Sequence, residues 1–296
     1  GKFDKNNSIF KTVWDCVIVD EAHEGTTTAL GEDTVAAVVK EGSGSKLLAL
    51  SGTPFNILSE YDEDSIYTWD YIMEQECKSE WDKLHFGDSN PYDELPELRI
   101  YTYSLGDILH NSNYITFEDK AFNFHEFFRV FTGDFSKDYV NMPVGAEVGD
   151  FVHESDVLSF LNLMTRSDNK SQYPYSNTEY RSLFKHSLWM VPGVREARAL
   201  KKLMLKHKVF GNGMFDIVNV AGSGDEEEKS EEALKKVRAA IKNAKANDTY
   251  TITLSCGKLT TGVTVKEWTA VFMLVGSYST SAANYLQTIF REQSPC

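Results

Sequence analysis

The sequence predicts an α/β chain with two parallel-sheet units and a segment of different character between them. Three observations carry this. Short apolar runs, largely β-branched, recur and stop abruptly at polar residues, as buried strands of a parallel sheet do. Stretches with apolar residues at helical spacing separate those runs. Between residues 61 and 182 this rhythm is lost, and Tyr, Phe and Trp interleave with Asp and Glu.

The elements follow in order. Val17-Ile18-Val19 is a short strand expected to be buried, and Leu47-Leu48-Ala49-Leu50 is its parallel neighbour. Thr34 to Lys40 supplies the crossover between them. Gly42-Ser43-Gly44-Ser45-Lys46 precedes a strand rather than a helix and reads as a tight loop. In the middle region Arg99 to Tyr103 reads as one strand. Its aromatics could stack on bases, but without a basic setting the reading is core and interface packing. The rhythm returns at Ser187-Leu188-Trp189-Met190-Val191, a strand that Pro192-Gly193 turns into a helix over Val194 to Lys208. That helix has Ala197, Leu200, Leu203 and Met204 on one face, and Arg195, Arg198, Lys201, Lys202, Lys206 and Lys208 on the other. The basic face reads as solvated, with a phosphate-backbone contact as the sharper alternative. A strand over Phe215 to Val220, a helix over Glu231 to Lys245, and strands over Tyr250 to Ser255 and Thr269 to Val275 complete the second unit.

Composition bounds the class. A 42% hydrophobic and 25% charged chain of 296 residues is globular, with one to two domains expected. No 18-residue apolar run and no signal peptide are present, so no membrane partner is expected. Cys16, Cys77, Cys256 and Cys296 form no CxxC pair, which argues against a zinc site or disulfide framework and fits a cytoplasmic location. The net charge of -14 opposes a nucleic-acid partner, yet much of the acid is clustered, in residues 60–64 and 225–232.

The most informative stretch is Val17-Ile18-Val19-Asp20-Glu21-Ala22-His23-Glu24. An apolar strand ends in two adjacent carboxylates, a small residue and a histidine. Ligands of open α/β sheets bind beyond the carboxyl ends of strands. Two carboxylates there cost desolvation energy unless a cation or a reaction uses them. A hydrated Mg²⁺ on a nucleotide phosphate would use the first, and an attacking water the second.

Asp20-Glu21-Ala22-His23 resembles the DEAH box, motif II, of superfamily 2 helicases and translocases. Ser51-Gly52-Thr53-Pro54, at the end of the next apolar strand, resembles their motif III. Leu259-Thr260-Thr261-Gly262-Val263 resembles motif V, and Gln287 and Arg291 match motif VI, usually Gln-x-x-Gly-Arg-x-x-Arg. Phe290 replaces its glycine and Ser294 stands at its second arginine, so the identity of the arginine finger stays open. The resemblance covers roughly residues 13 to 58 and 185 to 295.

The resemblance implies two RecA-like domains, over 1–60 and 183–296, with 61–182 as an insertion or connecting region. The first is expected to be incomplete: no Gly-Lys-Ser/Thr phosphate loop precedes the DEAH box. It also implies ATP and Mg²⁺ as cofactors. Asp20 would hold Mg²⁺ through water, Glu21 would activate the attacking water, and His23 would link to the other domain, with Gln287 as its partner. Arg291 would neutralise charge on the transferred phosphoryl group. Ser51 and Thr53 would couple hydrolysis to movement, and Thr260, Thr261 and Gly262 would contact nucleic acid or nucleotide. Each residue has a structural alternative: Asp20 and Glu21 as helix caps, His23 as a packed histidine, Gln287 and Arg291 as helix-surface contacts.

Within that superfamily the DEAH box, Ser-Gly-Thr-Pro-Phe and the Gln-x-x-Phe-Arg-x-Gln-Ser-Pro ending look most like motor subunits of type I or type III restriction enzymes. These translocate on duplex DNA, with nuclease and methyltransferase or specificity subunits as partners. The expectation is an ATP-dependent DNA translocase of a restriction or phage-defence system. The alternatives are a helicase of another branch and a non-hydrolysing scaffold that binds DNA or a partner.

Overall fold

The computed structural model describes residues 7–24, 28–40, 42–55, 57–103, 122–134, 145–168, 172–222, 230–256 and 265–275. The chain divides into two compact units, Gly1–Leu84 and His85–Cys296.

The first unit opens with α1 (Ser8–Lys11), a single turn capped by the Asn7 side chain, which accepts the Ile9 N–H. Strand β1 (Cys16–Val19) follows. Helix α2 (Ala29–Val38) is the crossover, and its N-terminus is fixed by Thr28 Oγ1 accepting the Gly31 N–H at 3.1 Å. The chain then turns back through Gly42 and Gly44, at φ 74° and 76°, a conformation in which a side chain would be strained. The tight loop expected there is what the structure has. Strand β2 (Lys46–Ala49) pairs parallel to β1, with Cys16 opposite Lys46 and Val19 opposite Ala49. Helix α3 (Tyr71–Leu84) ends the unit, and Asp70 Oδ1 accepts the Met73 N–H in its first turn.

The strand β1 is parallel, as expected, but not buried. Ile18 is 61% exposed and Leu48 is 48% exposed. In a two-stranded sheet both strands are edges, and among the described residues no third strand pairs with either. The apolar pattern is that of a strand covered on both faces, whereas the described residues leave this sheet partly exposed.

The second unit contains α4 (Phe124–Phe127), α5 (Glu154–Met164), α6 (Thr178–Leu183), β3 (His186–Met190), α7 (Val194–Lys206), β4 (Phe215–Asn219), α8 (Ser230–Asn247), β5 (Tyr250–Ser255) and β6 (Ala270–Met273). The four strands form one parallel sheet in the order β4-β5-β3-β6. Alternation along the strands separates two cores. Trp189, Ile217, Ile252 and Leu254 pack with Ala197, Leu200, Leu203 and Met204 of α7. Leu188, Met190 and Val218 pack with Ala233, Val237, Ala240 and Ile241 of α8 and with Trp268. Helices therefore cover both faces, the arrangement a parallel sheet requires.

The aromatic-rich region contributes to the first of these cores. Phe127, Phe128, Phe151 and Phe160 are buried in the same cluster as Trp189, with edge-on ring contacts such as Phe160–Trp189 at 6.3 Å and 71°. The packing reading therefore holds for these phenylalanines. Two buried polar groups of this core are paired through a third: the Trp189 indole N–H donates to Tyr175 Oη at 3.2 Å, and Tyr175 Oη bonds Ser187 Oγ at 2.9 Å. Arg99 to Tyr103 is not a strand. The segment has no assigned secondary structure, because no sheet edge pairs with it among the described residues. No helix of the described residues is long and apolar enough to cross a membrane.

Candidate functional site

The two motifs of the first unit meet at the carboxyl ends of β1 and β2. Beyond the last paired residues the ladder continues through two backbone bonds. The Leu50 N–H donates to the Val19 carbonyl at 2.8 Å, and the Ala22 N–H donates to the Leu50 carbonyl at 2.9 Å. These bonds lock residues 20–24 against residues 50–53, so the acid pair and the Ser-Gly-Thr loop share one sheet end.

Glu21 stands in the left-handed region, at φ 49°. Non-glycine residues adopt that conformation rarely, and they do so at tight turns and functional sites. The Glu21 N–H donates to Asp20 Oδ1 at 2.9 Å, which holds the Asp20 carboxylate against the turn. The turn breaks the strand and leads into a single 3₁₀ turn, Ala22–Glu24. Ala22 is buried; a small residue is what this close approach to β2 admits.

His23 is buried at the centre of a closed set of hydrogen bonds. Its Nδ1 lies 2.8 Å from Ser51 Oγ, and its Nε2 lies 3.3 Å from Thr53 Oγ1. Ser51 Oγ in turn accepts the Thr53 backbone N–H at 3.2 Å. The Glu21 carboxylate, itself half exposed, lies 3.5 Å from His23 Nδ1. A carboxylate beside Nδ1 favours the proton on that nitrogen, so that Nε2 accepts from the Thr53 hydroxyl. The imidazole thus joins a carboxylate that faces solvent to two hydroxyls on the next strand's loop.

Five residues predicted from sequence, Asp20, Glu21, His23, Ser51 and Thr53, are brought together in this way. Thr260, Thr261, Gly262, Gln287 and Arg291 lie outside the described residues. Among the described residues, no cluster of three or more His, Cys, Asp or Glu is placed to hold a metal ion.

The basic face of α7 is partly neutralised in place. Lys202 Nζ sits 2.7 Å from Asp150 Oδ1, which lowers the Asp150 pKa and raises that of Lys202. The packing reading of the aromatics missed one feature of the second unit. Tyr101, Tyr103, Tyr173 and Tyr180, with Arg166 and Gln172, line an open cleft of about 600 Å³. The signal available in the sequence was Tyr101 and Tyr103 on either side of Thr102, and Tyr173 beside Gln172.

No family model matches the chain, and no solved structure matches it. The chain is similar to a Mycoplasma pneumoniae protein described as the C-terminus of a candidate type II restriction enzyme and methyltransferase. The two are 30% identical over 257 residues, 84% of this chain and 34% of that protein. The chain therefore spans about a third of the relative's length.

Proposed function

We propose that this chain carries part of an ATP-dependent DNA translocase motor of a restriction-modification or phage-defence system, built on two RecA-like domains. The observation that carries the reading is the ring of hydrogen bonds from His23 to Ser51 and Thr53, with the Glu21 carboxylate at its solvent side. A motor must pass the state of its nucleotide to a moving part, and this arrangement links the acid pair to a neighbouring loop through one imidazole. The likeness to a protein described as a restriction enzyme and methyltransferase supports the biological setting.

In this reading Asp20 takes Mg²⁺ through its water shell, and the ion when bound offsets phosphate charge. Glu21 orients the attacking water and accepts its proton. His23 transmits the position of Glu21 to Ser51 and Thr53. Gln287 and Arg291 are assigned to the same reaction, Arg291 against charge on the transferred phosphoryl group. Thr260, Thr261 and Gly262 contact nucleic acid or nucleotide. Contacts to the phosphate backbone give weak sequence preference, so target choice falls to specificity, methyltransferase and nuclease partners.

A second reading, a scaffold that binds DNA or a partner without hydrolysis, is favoured by one observation. Phe290 and Ser294 stand where motif VI usually has its glycine and its second arginine. The experiment that separates the two is nucleotide turnover and binding by the full gene product carrying this chain, with and without Glu21→Gln. The motor reading predicts that the variant loses hydrolysis by about 10²-fold or more while it retains ATP binding. Hydrolysis unchanged in the variant removes Glu21 from its role.

A further inference from the structure

The tyrosine-lined cleft lies wholly within the second unit. We propose that it binds an unpaired nucleobase by stacking on its tyrosines, so that the chain grips a nucleic-acid strand by its bases as well as by its backbone. The proposal rests on the nucleic-acid reading above for the nature of the ligand. It does not need the motor reading, because no nucleotide hydrolysis enters it.

Four observations carry it. The cleft, at about 600 Å³, falls in the range of small-ligand sites. Its walls are aromatic: Tyr103 and Tyr173 stack at 5.5 Å and 28°, and Tyr101 meets Phe184 edge-on at 6.3 Å. The walls are anchored. Phe184 is buried and packs against Tyr175 and against Phe272 of β6, so this wall of the cleft is held by the sheet. Preorganised aromatic surface avoids ordering costs on binding. Finally, Tyr101 is 53% exposed, which leaves ring surface that a stacked base would cover.

The polar groups suit a base edge. Gln172 offers both a donor and an acceptor, and Arg166 offers a planar fork of donors. Asp168 Oδ2 holds Arg166 Nε at 2.7 Å, which orients that fork. Arg166 is the one basic side chain lining the cleft. Binding through bases fits a chain of net charge -14 better than binding through a cationic track does.

That last point makes the test specific. Binding of a short oligothymidylate to the chain is measured by fluorescence anisotropy, against an abasic strand of equal length and a duplex. The expected result is at least about tenfold weaker binding of the abasic strand. The salt slope should be shallow, no steeper than about -0.7, the value for one phosphate contact on a single strand. Tyr101→Ala should weaken oligothymidylate binding by about tenfold, and Tyr101→Phe should preserve it; circular dichroism checks that both fold. Competition by deoxyadenosine monophosphate at equal affinity would assign the base to a free nucleotide, and its failure to compete would assign it to a strand. Equal binding of abasic and thymidylate strands, or equal binding by Tyr101→Ala, overturns the proposal, as does a failure to bind any strand or nucleotide. DNA-stimulated ATP turnover that persists while base binding is absent would reject the cleft alone. The reverse pattern would reject the motor alone.

Discussion

Glu21 and His23 are the two residues on which the proposed function turns. Glu21 has a rare backbone conformation, and the carboxylate it presents is half exposed beside a buried ring. Removing the ring tests whether it holds the site together. His23→Ala takes away the partner of both Ser51 and Thr53, and Thr53 is buried. The expected cost to the first unit is about 1–3 kcal/mol, read as a lower urea midpoint. An unchanged midpoint would mean that the hydrogen bonds contribute nothing net. The residue types of this site were legible in the sequence, because an apolar strand that stops at Asp-Glu-Ala-His is a strong local pattern. The left-handed conformation of Glu21 was not legible, since no glycine or asparagine marks it. The pairing of His23 with both hydroxyls depends on the register of two strands about thirty residues apart, which local patterns do not report.

Among the elements, β3 carries the most packing in the second unit. Every residue of it is buried, and it lies between β5 and β6. Across from it, Leu200 of α7 is fully buried, so Leu200→Ala is expected to cost about 2–5 kcal/mol; a loss under about 1 kcal/mol in chemical unfolding would contradict the packing described. At the start of β3, His186 bonds Thr251 Oγ1 at 3.0 Å, and burial is the main cause that lowers its pKa from 6.5 to about 4. The unfolded chain therefore takes up a proton here between pH 6.5 and about 4 while the folded chain does not. Its contribution to stability is complete above pH 6.5 and is lost as the pH falls through that window. His186→Gln should flatten that part of the melting-temperature profile, and a variant whose profile follows the parent's would show that His186 does not titrate differently in the two states. The strands and helices of this unit fall within one or two residues of where the sequence puts most of them, because period and length coincide for a sheet covered on both faces. The Arg99–Tyr103 segment fails that correspondence: its alternation of residue types was that of a strand, yet strand formation also needs a free edge to pair with.

Across the whole molecule, the two units bury their apolar residues unequally. The second has two cores, one on each face of its sheet. The first leaves Val13, Ile18, Leu48 and Phe55 in contact with water. Exposed apolar surface of this kind favours association. Light scattering of the 296-residue chain should show mass rising with concentration, and Ile18→Ser with Leu48→Ser should reduce it; a monomer at all concentrations would contradict this. The sequence signalled the apolar strands but not how much would cover them, since covering depends on neighbours that a strand's own residues do not encode.

The most direct test of the central claim is ATP turnover by the full gene product carrying this chain, measured without nucleic acid and with single-stranded DNA, duplex DNA and RNA. The account predicts turnover that duplex DNA stimulates and that Glu21→Gln abolishes. An absence of turnover with every nucleic acid, in a protein that is folded and binds DNA, would contradict it and leave the scaffold reading in its place.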